Sequence, residues 1–396
     1  PSLTYDANNV YLTLLLLNNT SFDSVGGTPN QIATGTGIPG SGAVYDAVIG
    51  LSAPQARAAF DLLSGEIHAS AQTVLLQDSR FIRDAAFDRL RFSQGSAGSG
   101  DSLASSGSML LAYAGDDLGS LTSPSSDPER GVMWARAFGS WGKFDGDGNA
   151  ASLDRDTGGM LFGADGSLGG WRVGALAGYS QTDLDVSRRR SSADSDNYHI
   201  GLYAGTQWDR LALRTGVAYS WHDIESRRSV PLLNERLKGD TDADTTQVFA
   251  ELGYGLTAGK VNLEPFANLA YVNLSTDGFT EKGGSAALRV KGEDQDMTFT
   301  TLGIHASAEL NERTHLRGTL GWRHAFGNDT PETTMQFVNG TAFDIAGVPL
   351  DDDTAVIDAG LDFALTKEAA LGVAYSGQLG SDVRDHGVRV TVGIRF

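Results

Sequence analysis

Asp385-His386-Gly387-Val388-Arg389-Val390-Thr391-Val392-Gly393-Ile394-Arg395-Phe396 is the stretch whose reading decides the fold. From Val388 onward every second residue is apolar, and the residues between are Arg, Thr or Gly. A period of two places those two sets on opposite faces of a strand. In a soluble sandwich the polar face meets water and the apolar face meets a core. In an outer-membrane barrel the apolar face meets lipid and the polar face lines the lumen. One strand does not separate these cases, but an array of them does.

Working outward, the same alternation recurs upstream. Examples are Trp171/Val173/Ala175/Ala177/Tyr179, Val248/Ala250/Leu252/Tyr254, Leu302/Ile304/Ala306/Ala308/Leu310 and Ala355/Ile357/Ala359/Leu361/Phe363. With further strands near Val132–Trp141 and Gly158–Leu168 the count reaches about twelve, an even number as bacterial single-chain barrels require. The opposite faces carry Arg172, Arg214, Glu251, Glu264, Glu309, Arg317, Arg323, Asp358, Asp362, Arg389 and Arg395, alternating with glycines such as Gly174, Gly216, Gly321 and Gly360. Such charges are prohibitive in a sandwich core and acceptable in a wet lumen. Residues 131–396 are therefore expected to form an all-β transmembrane fold, an antiparallel outer-membrane β-barrel of about twelve strands.

Connections supply an independent test, because outer-membrane barrels alternate short periplasmic turns with longer extracellular loops. Tight turns fall near Leu168-Gly169-Gly170, Trp208-Asp209, Ala258-Gly259-Lys260, Glu312-Arg313 and Lys367-Glu368. Between them lie longer polar stretches, Lys143–Thr157, Asp185–Asp196, Ile224–Thr245, Ser275–Asp296 and Asn328–Asp353, with a shorter one near Leu379–Arg384. Short and long alternate throughout, which puts the start of the first strand and Phe396 on the periplasmic side.

The 396 residues include 50 Gly, only 10 Pro and no Cys, with a formal net charge of −19. That charge disfavours nucleic acid, whose phosphates would repel such a surface. The absence of cysteine suits passage through an oxidising periplasm. The longest early apolar run, Val10 to Leu17, is interrupted by Thr13 and follows no basic segment, so it is neither a signal peptide nor a span. The missing leader is read as the mark of a fragment of a longer protein.

Upstream of the barrel the chain divides into residues 1–51, residues 52–92 and a Ser/Gly/Asp/Pro-rich stretch, 93–130, that reads as linker. Within 1–51 a Gly/Pro/Thr-rich run, Gly26 to Gly42, also reads as linker. Residues 52–92 are helical, with Ser52 as N-cap, Pro54 in the first turn and Gly65 separating two helices. The second helix, 66–91, extends about 39 Å at 1.5 Å per residue, longer than the ~25 Å apolar band of such a barrel. Ile67, Val74 and Phe81 are interspersed in it with Gln72, Asp78, Arg80, Arg83 and Asp84, so it cannot face lipid but suits a polar lumen. A barrel of about twelve strands lies between those filled by their own side chains and those holding an open channel, and so fits one helix.

At this point the residues resemble a known family, the classical autotransporters of type V secretion. Leu63-Ser64-Gly65-Glu66-Ile67-His68-Ala69-Ser70, followed by Arg83-Asp84-Ala85-Ala86-Phe87-Asp88-Arg89-Leu90-Arg91, resembles the segment those proteins carry ahead of the barrel. So do the barrel opening Trp134-Ala135-Arg136-Ala137-Phe138-Gly139-Ser140-Trp141 and the terminal aromatic Phe396. Tyr5-Asp6 through Leu12 resembles the last rung of a β-helical passenger, and Thr28-Pro29-Asn30-Gln31 the motif that follows it. The resemblance implies an outer-membrane translocator that exports an upstream passenger, with residues 66–91 plugging the pore and 1–51 a passenger remnant. It implies a monomer in outer-membrane lipid and lipopolysaccharide, served by periplasmic chaperones and by an assembly machinery that reads the terminal strand at Phe396. Self-cleaving members cut at an Asn-Asn pair in the pore helix, whereas Asn18-Asn19 here lies outside it.

The rival is a general outer-membrane porin, which needs neither the helix nor the passenger-like start. A barrel enzyme needs clustered acid, base and nucleophile, but His222-Asp223 and Asp385-His386 are strand neighbours and point to opposite faces. No cofactor or catalytic residue is expected. Asp145-Gly146-Asp147-Gly148-Asn149 lacks the distal Glu of a calcium loop and reads as a solvated turn. Arg188-Arg189-Arg190 reads as a solvated loop charge run, with binding of lipopolysaccharide phosphates as the alternative. The residues expected to hold the plug are Arg172, Arg214, Glu251, Glu309, Arg317, Arg323, Asp358 and Arg389 on the wall.

Overall fold

The computed structural model describes residues 2–13, 21–94, 131–366 and 368–396. Twelve strands form the barrel. In chain order they are β1 (Val132–Phe144), β2 (Leu153–Leu168), β3 (Trp171–Val186), β4 (Ser191–Trp208), β5 (Leu211–Val230) and β6 (Glu235–Tyr254). Then follow β7 (Val261–Thr276), β8 (Asp294–Asn311), β9 (Thr314–Gly327), β10 (Asp353–Ala364), β11 (Ala369–Leu379) and β12 (Val383–Arg395). Each pairs antiparallel with its sequence neighbours, and β12 closes on β1 with Arg389 opposite Phe138 and Ile394 opposite Met133. Closure leaves no edge strand, the condition for a sheet to cross a bilayer.

The wall is inside out relative to a soluble core. Outward-facing Leu202 and Leu320 are 61% and 60% exposed, whereas inward-facing Arg155 and Arg214 are buried to 1% and 0%. Alternation of this sign matches lipid outside and polar groups within. Trp141, Tyr179, Tyr198, Trp221, Tyr271, Trp322 and Tyr375 are exposed toward the outer end of the strands, and Trp208, Tyr254 and Phe396 toward the inner end. These are the two aromatic girdles of a membrane barrel.

Strands β2 to β6 continue well past the outer girdle. The polar stretches 185–196 and 224–245, expected as long loops, are mostly strand: β3 ends at Val186 and β4 starts at Ser191, while β5 ends at Val230 and β6 starts at Glu235. Outside the bilayer the outward face no longer needs apolar residues, so it carries Asp183 opposite Asp194, Asp194 opposite Glu225, and Asp223 opposite Asp242. The two long loops, by contrast, fold into a small sheet of Phe279–Thr280, Leu288–Val290, Glu332–Phe337 and Ala342–Ala346. Periplasmic turns are tight, as at Gly169 and Gly170 with φ of 55° and 84°.

Residues 2–13 form a hairpin, Ser2–Tyr5 against Val10–Thr13, whose turn is closed by Asp6 accepting the N–H groups of Asn8 and Asn9 at 2.8 Å each. The run 26–42, expected as linker, is instead largely helical: α1 is Pro29–Gly37, followed by α2 (Ala43–Ile49) and α3 (Ala53–Leu63). Thr28 caps α1 by accepting the Gln31 N–H, and Pro29 fits the first turn, where no amide is needed. These helices bury Phe22, Val44, Val48, Phe60 and Leu63 against Leu288, Met335, Phe337 and Phe343 of the loop sheet. Contact is close enough that a Cβ on Gly37 would stand 2.1 Å from Phe343.

After Leu63 the chain turns into the barrel at Gly65, whose φ of 72° favours glycine. The single helix expected at 66–91 is two segments, α4 (Glu66–Asp78) and α5 (Arg80–Gln94), with a hitch at Ser79. The Ser79 hydroxyl bonds back to the Leu76 carbonyl at 2.7 Å, competing with the helix ladder. Most of the expected linker 93–130 lies outside the described residues.

Candidate functional site: the helix and the lumen wall

The helix lies along the lumen with an unusual density of buried charge around it. At its outer end Gln72 donates to the Thr333 hydroxyl at 2.8 Å, and the Val348 amide donates to Ser70 at 3.0 Å, so loop residues grip α4. Glu66, at the first turn, accepts from the Ala151 amide at 2.7 Å and Arg189 Nε at 2.8 Å. Burial pushes its carboxyl above the usual range, and Arg189 and the Ala151 amide offset this only in part. Glu281 faces His68 at 2.8 Å and accepts two bonds from Arg228. Burial pushes it up too, but the Arg228 charge and bonds prevail and hold it well below the usual carboxylate range.

At the hitch between the helices a quartet of two acids and two arginines forms. Asp78 pairs with Arg155 and accepts from the Thr157 hydroxyl at 2.9 Å. Arg155 also binds Asp385, and Asp385 binds Arg80 at 2.8 Å and the Ser140 hydroxyl at 2.8 Å. The Ser79 carbonyl accepts from Gln247 Nε2 at 2.9 Å, and Gln247 Oε1 accepts from Arg83 at 2.9 Å. Gln77 accepts from Arg323 at 2.8 Å.

Toward the periplasm α5 is held by a second set. Arg89 donates two bonds to Asp165, from Nε at 2.5 Å and from Nη2 at 2.9 Å, and Asp165 also accepts from Arg172 and from the Tyr203 hydroxyl at 2.9 Å. Asp88 meets Arg136 at 2.9 Å and Arg389 at 3.3 Å. Arg91 and Arg214 both reach Glu251 Oε1 at 2.9 Å, and Arg214 Nε also donates to Gln94 at 2.9 Å. Glu251, Glu264 and His305 lie close enough to ligate a metal, yet Arg214 binds both carboxylates and supplies the positive charge there.

Of the wall residues expected from sequence, Arg214, Glu251, Arg323 and Arg389 touch the helix directly. Arg172 works through Asp165. Arg317 binds Asp362 at 2.9 Å and Asp358 at 3.7 Å, and Asp358 in turn pairs with Arg389, so these act between strands. Glu309 is exposed at the periplasmic rim. Of the helix residues, Gln72, Asp78, Arg80 and Arg83 meet wall or loop partners, Ile67 is fully buried among apolar groups, and Asp84 is exposed to a cavity beside the helix. Arg155, Asp165, Asp385, Arg136 and Gln247 were not among the wall residues expected from sequence to hold the helix. Their only signal is that each falls on the inward phase of its strand.

Other motifs settle into plain roles. His222 lies inside, bonded to Asn197 at 2.6 Å and Thr245 at 2.9 Å, while Asp223 is opposite Asp242 on the outer face. His386 meets the Tyr375 hydroxyl outside, away from Asp385. Asp147 closes its own turn by accepting the Asn149 and Ala150 amides at 2.8 Å each. Arg189 turns inward to Glu66 and Asp61, leaving Arg188 and Arg190 exposed. Asn18-Asn19 lies outside the described residues.

A closed barrel with this strand order and a helix in its lumen leads to known proteins. The family model for the autotransporter beta-domain matches residues 133–376. This chain belongs to that family. As an autotransporter beta-domain it is an outer-membrane translocator serving surface display of a passenger, and the porin reading gives way. Two curated relatives, both extracellular serine proteases of Serratia marcescens, are 37% and 35% identical over 94% and 89% of the chain. The chain spans only about a third of their length, 34% and 32%. Esterase EstA of Pseudomonas aeruginosa is 24% identical over 65% of the chain and 43% of its own length. Among solved structures, the translocator domain of NalP from Neisseria meningitidis covers 67% of this chain and 89% of its own, with a TM-score of 0.57 and 18% identity. The Bordetella BrkA beta domain covers 68% of this chain and all of its own, with a TM-score of 0.53 and 21% identity. These two likenesses concern the fold.

Proposed function

We propose that residues 66–94 are the plug of the translocator and that the ion pairs along it hold it in place. The observation that carries this reading is the quartet of Asp78, Arg155, Asp385 and Arg80, in which helix and wall each bring one acid and one base into a buried site. An uncompensated charge there would be costly, so seating the helix satisfies both sides together. Charges such as Arg317 and Asp358 position the arginines that touch the helix. Deleting residues 66–91 and recording conductance in planar bilayers tests the plug: a large, stable conductance is expected. An unchanged trace would sink the reading.

Residues 1–51 are, in this proposal, the trailing end of the exported passenger, and 52–65 the connection into the pore. Its passenger is an extracellular serine protease, since the relatives of that name match nearly the whole chain and at higher identity than the esterase. A fluorophosphonate probe applied to cells displaying the full-length protein should label a surface or released fragment. A displayed passenger that takes no label would refute it. The assembly machinery and periplasmic chaperones recognise the terminal strand, whose last aromatic, Phe396, packs beside Gly131. Removing Phe396 should lower the folded yield in outer membranes. Arg188 and Arg190 face lipopolysaccharide phosphates in this proposal.

A further inference from the structure

The two halves of the plug are buried differently. In α4 every residue from Glu66 to Gln77 except His68 is buried, with only a small cavity of about 30 Å³ beside Ile67, His68 and Gln72. In α5, Phe81, Asp84, Asp88, Arg91 and Phe92 stay partly or fully exposed, although the helix is enclosed by the wall. Their spacing of three and four makes one stripe along the helix. That stripe borders two cavities of about 140 and 110 Å³ that share Asp88, Arg91, Arg136, His305, Thr319 and Asp358 as lining. Both lie between α5 and strands β8 to β12, with β1 completing the lining and β6 and β7 bordering the smaller one.

Three features say that these spaces are wet. First, Asp84 is a carboxylate exposed inside the barrel, and an ionised group left without solvent or partner is strongly disfavoured. Second, charged wall groups keep surface open to these spaces: the Arg317 side chain is 24% exposed, Arg389 12% and Asp358 11%. Third, each volume exceeds several times the ~10–15 Å³ of probe space that one water needs. Below them the inward-facing Ser307, Glu309, Gly393 and Arg395 stay only partly buried or exposed down to the periplasmic rim.

We propose that the pore is sealed only in its outer half, by α4 with the loop residues that grip it, and that the inner half holds a hydrated vestibule along β8 to β12. This vestibule opens to the periplasm and admits small hydrophilic solutes as far as the level of Arg80. The inference rests on the helix occupying the lumen.

The chain has no cysteine, so single-cysteine variants report accessibility without background. The full chain carrying Asp84→Cys, Thr319→Cys or Val74→Cys, reconstituted in liposomes of one orientation, is treated with a small anionic methanethiosulfonate from either side. Heat-modifiable electrophoretic mobility checks that each variant is folded. Asp84→Cys and Thr319→Cys should react roughly a hundredfold faster than Val74→Cys, as thiol accessibility dictates, and only from the periplasmic side. Thr319 sits on the wall, so it reports even where a change at Asp84 unseats the helix. Protection of both inner thiols would overturn the vestibule. Equal reaction from the two sides would overturn the outer seal and point to an unplugged barrel.

Discussion

Asp78→Asn should unseat the plug measurably. Asp78 is the only acid that α4 brings to the quartet at the hitch, where Arg155 is fully buried and Asp385 is 1% exposed. Removing the Asp78 charge leaves Arg80 and Arg155 facing Asp385 alone, so one positive charge is uncompensated. Breaking a buried pair this way costs about 3–5 kcal/mol. The Asp78 side chain is 12% exposed and Arg80 borders the wet cavity, so the lower end, ~3 kcal/mol, is expected. At about 1.4 kcal/mol per decade, the open fraction of the pore should rise by roughly a hundredfold. Planar-bilayer recording of single molecules reads this directly. The double variant Asp78→Asn with Arg155→Gln removes both charges and should recover more than half of the loss, giving a clear coupling energy in a double-mutant cycle. Additive effects, or an Asp78→Asn variant as closed as the parent, would refute the idea that paired burial holds the helix.

Two carboxylates at the pore mouth should respond to pH in opposite senses. Glu281 is held low by Arg228, so its stabilisation is present above the ordinary glutamate range and is lost as pH falls; Glu281→Gln should cost about 3–5 kcal/mol at pH 7 and progressively less on acidification, by denaturant titration. Glu66 is held high by burial, so its contribution is favourable below the ordinary range and fades as pH rises; Glu66→Gln should therefore match or exceed the parent at pH 7 and lose that margin near pH 4. Gly37→Ala places a Cβ 2.1 Å from Phe343 and should loosen the α1–loop contact by about 1–3 kcal/mol, seen as faster proteolysis of residues 21–63 with the barrel intact. Asp183 faces Asp194 in register; burial and then the Asp194 side chain raise its carboxyl. Asp183→Asn should stabilise the protruding strands by a few tenths of a kcal/mol at low salt. That gain should vanish at high ionic strength and shrink as pH falls, and an unchanged melting profile would count against it.

The barrel was legible because its signal is a physical necessity repeated twelve times: lipid on one face forces every second residue to be apolar. The signal stops where the lipid stops. Asp183, Asp194, Glu225 and Asp242 alternate with inward Thr182, Ser195, Ile224 and Ala243, but with no apolar outer face the stretches read as loops although they are strands. Residues 29–49 failed for a related reason. Pro29-Asn30-Gln31-Ile32-Ala33-Thr34-Gly35-Thr36-Gly37 has poor helix propensity, and its helix exists because it packs on Phe343 and its loop, a contact more than 300 residues away in the chain.

The wall partners divide along the same line. That Arg214, Glu251 and Arg389 point inward follows from strand phase alone. Which of them meets the helix does not, because it depends on barrel stagger and on the rotation of the helix, fixed by no local pattern. Asp78 finds Arg155 across 77 positions and Arg80 finds Asp385 from the other end of the chain. A helix of this composition is amphipathic only with respect to its enclosure: Arg80 and Arg89 are closed against Asp385 and Asp165, whereas the stripe of Asp84, Asp88 and Arg91 borders the cavities, Asp88 and Arg91 keeping wall partners there and Asp84 facing open space. Sequence shows a polar helix. Only the lumen shows that the polarity is of two kinds, one that locks the helix and one that leaves it wet.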